Sequence, residues 1–368
     1  MCQNMHKRIL LTGGGTGGHI YPLIAVARKL KGEAELKYFG PKNIFSFYLL
    51  GEGIAIKHIT SSKIRRYFSF LNFLDGFRFI WSIFQAFFKV YWFMPDVCFS
   101  KGGPGSAPVI LACRFYRVPI VIHESDSIPG KANLIASRYA KIIETGFESV
   151  TETFKNYGSG TSIVKVVGNP VREDILRFVE PADARRSFGL DVVKPTILIL
   201  GGSQGATRIN DFIYKNLDVL IAKYQIIHGV GNENYVEYMS RFEKLPQGYF
   251  VVAYFENNLS EAYGAADLVI SRAGATTIFE LAALGKPAIL VPLPESANGH
   301  QKENAYQYGK TGAAIVIEQE NLLINLLESQ LHQLLDSPEK LKFMSQAAKG
   351  FYKSNATEII VKDILGLI

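Results

Sequence analysis

Short, almost purely apolar runs recur along this chain, and the stretches between them carry apolar residues three and four positions apart. That alternation marks parallel strands buried on both faces and separated by amphipathic helices. In the first half it predicts strands at 7–12, 35–39, 54–59, 97–100 and 119–123, with a helix at 22–31, and the run 163–170 closes the half. From Thr196 the pattern starts again, with strands at 196–200, 225–228, 249–253, 268–271, 288–291 and 314–317. A helix is predicted at 276–284, between Gly274 and Gly285-Lys286-Pro287, and another opens at Ser337-Pro338. The fold class is therefore α/β, doubly wound, and 368 residues exceed a comfortable single core. Domains are expected at 1–170 and 171–352, joined near 169–181, with the amphipathic end, about 353–368, packing back on the first.

Two of these strands run into glycine-rich turns, Gly13-Gly-Gly-Thr-Gly-Gly-His19 and Gly201-Gly-Ser-Gln-Gly-Ala206. A strand that ends in glycines and passes into a helix lets backbone N–H groups and the positive helix end approach an anion, and phosphate is the first ligand to consider. Gly13, Gly15 and Gly18 also have dinucleotide-motif spacing, but the next strand ends in Phe39-Gly40-Pro41-Lys42 with no acidic residue to hold a ribose. A P-loop is excluded because no Lys-Ser/Thr pair follows the glycines.

The net charge of +7 is local. Between positions 63 and 117, Lys63, Arg65, Arg66, Arg78, Lys89, Lys101, Arg114 and Arg117 are opposed only by Asp75 and Asp96. The same stretch holds the most aromatic segment, 67–93, interrupted by Asp75, Arg78, Gln85 and Lys89, so it is not expected to span a bilayer, which takes about 20 predominantly apolar residues. Two readings remain for it: a buried helix under the sheet, or a surface helix that sinks aromatics into a lipid headgroup layer. Phe and Trp are too dense for one helix face, which leaves some outside the core. Basic residues are sparse elsewhere and no nucleic-acid motif is present. Cys2, Cys98 and Cys113 suit neither a disulfide framework nor a zinc site, and a reducing cytoplasm fits. The polar stretch 1–7 is not expected to be a signal peptide.

The most specific segment is Ser271-Arg-Ala-Gly-Ala-Thr-Thr-Ile-Phe-Glu280, a strand end, a small-residue turn and a helix start. Free N–H groups at Ala275, Thr276 and Thr277 suit a diphosphate, and Glu280, one turn on and expected outside the core, suits a pair of ribose hydroxyls.

Together with His123-Glu-Ser-Asp-Ser-Ile-Pro-Gly130, Gly168-Asn-Pro-Val-Arg172 and Gly299-His-Gln-Lys-Glu-Asn-Ala305, these motifs stand in the order and spacing of the MurG family, which the chain resembles from Ile9 to beyond Gln319. The family belongs to glycosyltransferase family 28 and comprises peripheral-membrane enzymes of peptidoglycan synthesis. The resemblance implies a GT-B fold: two Rossmann-like domains facing across a cleft, acceptor and membrane on the first, UDP-N-acetylglucosamine on the second. It implies transfer of N-acetylglucosamine, with inversion, to the 4-hydroxyl of MurNAc in lipid I, giving lipid II at the cytoplasmic face of the membrane, with no cofactor and no metal. Further cell-wall synthesis proteins are implied as partners.

By matching motif, Ser203, Gln204 and Arg172 would meet the donor, the backbone near Glu256 would read uracil, and Gly274 with Ala275–Thr277 would cradle the diphosphate. Glu280 would hold the ribose and Gln301 the sugar, with Thr16, Gly17, Gly18 and Asp126 also on the donor. Gly14, Gly15, Thr16, Gly103, Ser106 and His123 would line the acceptor diphosphate. Asp126 stands where the family usually carries Asn, and an ionised Asp cannot donate a hydrogen bond. His19 is the preferred base for the acceptor hydroxyl, with Glu124 as the next catalytic candidate. Arg65, Arg66, Phe70, Phe73, Phe77, Arg78, Trp81 and Phe84 form the expected patch on an anionic membrane surface. The alternatives are a UDP-N-acetylglucosamine 2-epimerase, which has no use for the basic aromatic segment, and another GT-B glycolipid transferase.

Overall fold

In the computed structural model the described residues are 7–15, 17–43, 45–60, 71–201, 206–255 and 258–368, and the side chains of 71–75 lie outside the description. The chain divides into two compact units, Met1–Arg172 with Lys353–Ile368, and Glu173–Tyr352.

The first unit holds a parallel sheet of β1 (Arg8–Thr12), β2 (Glu35–Gly40), β3 (Ala55–His58), β4 (Val97–Ser100), β5 (Ile120–Glu124), β6 (Ile142–Thr145) and β7 (Ile163–Val166), in the order β3-β2-β1-β4-β5-β6-β7. Central β4 and β5 are buried along their whole length, whereas edge strand β3, Ala-Ile-Lys-His, is largely exposed. Side chains alternate between the two faces. Ile9 and Leu11 join Leu23 and Val26 of helix Gly17–Leu30 and Ile360 and Ile364 of the terminal helix Ala356–Leu365. Leu10 and Cys98 point the other way, to Ala86 and Val90 of helix Leu71–Phe93 and Val109 and Cys113 of helix Ala107–Phe115. The terminal helix is also held by Asp363, 2.5 Å from Lys165 and beside Glu144. Burial, then Asp363, pushes the Glu144 carboxyl well above its ordinary range.

The second unit repeats the plan with β8 (Thr196–Leu200), β9 (Gln225–Gly229), β10 (Tyr249–Val252), β11 (Leu268–Ser271), β12 (Ala288–Leu290) and β13 (Ala314–Val316), ordered β10-β9-β8-β11-β12-β13. In each sheet the strand order turns back at one place, between β1 and β4 and between β8 and β11. Loops leaving the carboxyl ends of those strands diverge, and the crevice they leave is where open α/β sheets bind ligands.

Two local expectations fail for physical reasons. The strand β6 escapes the apolar pattern because its third residue, Glu144, is a fully buried acid. The first helix starts at Gly17, ahead of Pro22. A proline at that place removes only the bond to the carbonyl of Gly18, and Gly18 is exposed, so water serves it.

Candidate functional site

At the first crevice, the turns after β1 and β4 interlock. A Cβ on Gly103, whose φ is +88°, would stand 2.5 Å from the Cα of Gly14, so only glycine permits the approach. A Cβ on Gly14 would in turn lie 3.1 Å from His19 Nδ1, which places the half-buried His19 ring against both turns. From β2, the buried Tyr38 hydroxyl donates to the Gly13 carbonyl at 3.0 Å and props the first turn from behind. Ser106 closes the second turn, donating from Oγ to the Gly103 carbonyl at 2.8 Å.

Behind these turns lies a buried polar frame. Lys101, at the end of β4 and 2% exposed, donates from Nζ to Ser125 Oγ at 2.6 Å and to His123 Nδ1. His123 then carries its proton on Nε2 and donates it to the Gly168 carbonyl at 2.8 Å. Ser125 Oγ donates onward to Asn169 Oδ1 at 2.9 Å. Burial draws the Lys101 ammonium down to about 7 against the pull of Glu124, Asp126 and Glu144. The imidazole of His123 is held well below its ordinary range by burial and then by the Lys101 charge.

Two residues with expected roles belong to this frame. His123 has no exposed surface, and both its nitrogens are engaged inside the fold, where it supports the loop. Glu124 is buried, and its carboxylate accepts from the Asp126 N–H at 3.1 Å, the Gly130 N–H at 2.9 Å and Asn133 Nδ2 at 2.9 Å. Burial and then Asp126 raise its pKa, yet the three donors shape the 124–133 loop around it. Arg172, expected on the donor side, has its guanidinium 4.6 Å from the centre of the Tyr21 ring in the first unit.

In the second unit, helix Ala275–Leu284 begins behind Gly274, which offers no side-chain cap, and ends at Gly285 in the left-handed conformation. Its first N–H groups, at Ala275, Thr276 and Thr277, have no partner within the helix. Arg272 anchors the turn ahead of them, donating to the Val291 and Pro292 carbonyls at 3.1 and 3.4 Å and to Gln319 Oε1 at 2.6 Å. Burial lowers that guanidinium to about 10, which leaves it charged. From helix His300–Gly309, Asn304 donates to the Ala273 carbonyl at 3.2 Å, and Gln301 Oε1 accepts from the Leu293 N–H at 3.1 Å. Glu280, expected outside the core, is 7% exposed and accepts a hydrogen bond of 3.1 Å from the buried Tyr263 hydroxyl.

Thr16, Ser203, Gln204, Glu256, Arg65, Arg66 and Phe70 lie outside the described residues, as does the side chain of Phe73 in helix Leu71–Phe93. On that helix Ser82, Ala86 and Val90 face inward, and the opposite side exposes Phe77, Trp81, Phe84, Phe88 and Trp92, the last at 73%. Phe115 of the neighbouring helix extends the aromatic surface, and Arg78 is exposed beside it. Among the described residues no helix is long and apolar enough to cross a membrane.

Residues 9–145 match the glycosyltransferase family 28 N-terminal domain and residues 196–360 the glycosyltransferase family 28 C-terminal domain. The chain belongs to glycosyltransferase family 28. It is 36% identical over 97% of its length, and 99% of the relative, to the UDP-N-acetylglucosamine--N-acetylmuramyl-(pentapeptide) pyrophosphoryl-undecaprenol N-acetylglucosamine transferase of Clostridium botulinum (strain Langeland). The protein of the same name from Clostridium perfringens is 38% identical, with 96% of this chain and 98% of that one covered. The crystal structure of Acinetobacter baumannii MurG superposes with a TM-score of 0.75 at 28% identity, covering 98% of this chain and 99% of that chain. The two Rossmann-like units are those of a GT-B glycosyltransferase.

Sequence reasoning left Lys101, Ser125, Asn169, Arg272 and Asn304 without a role. Their signal was present but faint: Lys101, Ser125, Asn169 and Arg272 are polar residues just past the ends of apolar strands, and Asn304 is a buried polar position in helix His300–Gly309, places where a polar group has to find a partner.

Proposed function

We propose that this chain transfers N-acetylglucosamine from UDP-N-acetylglucosamine to the 4-hydroxyl of MurNAc in lipid I, forming lipid II with inversion at the anomeric carbon. The observation that carries this reading is 36% identity over 97% of the chain to a transferase named for that reaction. Acceptor O4 bonds to the anomeric carbon as the bond from that carbon to the UDP oxygen breaks. The O4 proton passes to His19, and UDP leaves with the electron pair. The unpaired N–H groups at Ala275–Thr277 and the helix dipole behind them stabilise the diphosphate charge as it grows. Glu280 holds the ribose hydroxyls. Gln301 binds the donor sugar, and the glycine turns at 13–15 and 102–105 take the acceptor diphosphate.

The exposed aromatic face of helix Leu71–Phe93, with Arg78, docks on the anionic surface that carries the lipid acceptor. On this reading the protein works at the membrane periphery.

Radiolabel transfer from UDP-N-acetylglucosamine to a short-chain lipid I analogue tests donor, acceptor and reaction together. Label appears in a diphospho-disaccharide product if the reading is right. Formation of UDP-ManNAc without acceptor would favour the epimerase reading instead.

A further inference from the structure

Lys101 presents a problem that the reaction as described does not resolve. Its ammonium is buried, and its partners are a neutral imidazole and a hydroxyl. Among the described residues no carboxylate lies within 4.0 Å of it, although Glu124 of β5, Asp126 of the following loop and Glu144 of β6 act on it from further off. Taking an ammonium out of water without an ion-pair partner is expensive, and a fold that needed only to fill this space would do better with an apolar side chain.

The position of the lysine supplies a reason. Its backbone N–H donates to the Thr12 carbonyl at 2.9 Å, so it stands where β1 and β4 diverge. A Cβ on Gly13 would lie 3.5 Å from Lys101 Cβ and 3.8 Å from His19 Cβ, so the lysine and the residue assigned as base both leave the backbone beside the first glycine turn. The Glu124 and Asp126 carboxyls act on the same ammonium, and their negative charge would repel a diphosphate unless that cation offset it. Through His123 to Gly168 and through Ser125 to Asn169, the same ammonium ties the loops after β4, β5 and β7 together.

We propose that Lys101 is a positioning residue for the acceptor diphosphate: its buried ammonium sets the positive potential behind the interlocked glycine turns and locks three loops into one frame. The inference rests on the lipid I transferase reading. An incoming diphosphate is the anion that the lysine lacks in the free protein, and its arrival favours the charged form.

The test is Lys101→Met beside Lys101→Arg, assayed with a short-chain lipid I analogue over a pH series. In the free enzyme the lysine is charged below about 7 and neutral above it. Wild-type kcat/KM for the acceptor should therefore fall as pH rises through that region, because this ratio reports ionisations of the free enzyme. Lys101→Met should raise acceptor KM at least tenfold at pH 6.5, leave UDP affinity unchanged by calorimetry, and lack that ionisation. Lys101→Arg, which stays charged, should lack it too while keeping a lower acceptor KM than the methionine variant. Retention of acceptor KM within about twofold in Lys101→Met, joint loss of acceptor and UDP affinity, or an alkaline fall that persists in both variants would overturn the proposal. A wild-type protein that transfers nothing to the analogue defeats the transferase reading itself, an outcome distinct from any difference between variants.

Discussion

The first unit has two interlocked glycine turns beside a buried lysine with no ion-pair partner among the described residues, while the second presents a helix N-terminus and an arginine bonded to carbonyl oxygens. Both arrangements stand at the same topological point of a parallel sheet. They differ in what is satisfied before a ligand arrives. Arg272 bonds two carbonyls and the Gln319 amide, so this turn is built in advance, and on the proposed reading the orphan N–H groups of a short, capless helix start do the binding. In the first unit three carboxyls act on the ammonium from beyond ion-pair distance, and on the proposed reading the ligand completes its neutralisation. A soluble nucleotide sugar suits a preformed cradle, whereas a scarce lipid-linked diphosphate suits a site held at positive potential.

The sharpest way to break this comparison is at His19, which touches both glycine turns. His19→Ala should lower kcat by about 10² to 10⁴ fold, the usual loss on removing a general base, with UDP affinity unchanged. Near-normal turnover at saturating acceptor would take His19 out of the mechanism.

A smaller effect sharpens the donor side. Glu280→Ala should weaken UDP binding by roughly 1.5–3 kcal/mol through lost charge-assisted hydrogen bonds. It should also lower the melting temperature, because the buried Tyr263 hydroxyl loses its acceptor. Glu280→Gln keeps an acceptor for Tyr263 and removes the charge, so it should show the binding loss with little change in melting temperature. Calorimetry and thermal unfolding on both variants separate the two contributions, and unchanged UDP affinity in both would place the ribose elsewhere.

The smallest effect expected concerns the aromatic face of helix Leu71–Phe93 in the first unit. Replacing exposed Trp81 and Phe88 by Ser should reduce co-sedimentation with anionic vesicles by about tenfold or less, each aromatic contributing part of the roughly 1.5–3 kcal/mol of a fully buried side chain. Transfer to vesicle-embedded lipid I should slow accordingly, and transfer to the short-chain analogue should not. Equal slowing on both acceptors would show that the helix supports the catalytic unit instead of docking it.

The strands were legible because parallel sheets bury both faces, so that Val97–Ser100 and Thr196–Leu200 carry their burial in their composition. Glycine turns announce themselves in the same way, since close backbone approach excludes other residues. What stayed hidden depends on partners far away in the chain. A lysine before Gly102 reads as a solvated turn residue until His123 and Ser125 are found beside it. Glu280 reads as an outward helix position until Tyr263, on a separate helix, is seen to cover it. Glu144 disguised a whole strand, because an acid buried beside Asp363 and near Lys165 has no sequence pattern of its own.

The return of Lys353–Ile368 to the first unit has a consequence for how the protein is made. Ile360 and Ile364 fill the core face of β1, and Asp363 answers Lys165, yet these residues leave the ribosome after all of Glu173–Tyr352. At ordinary synthesis rates of about 5–20 residues per second, the first sheet waits on the order of ten to forty seconds with an apolar groove uncovered. The second unit, continuous in sequence, can close as soon as it emerges. The first unit, although begun first, is thus completed last, once the stretch that follows Tyr352 has been made.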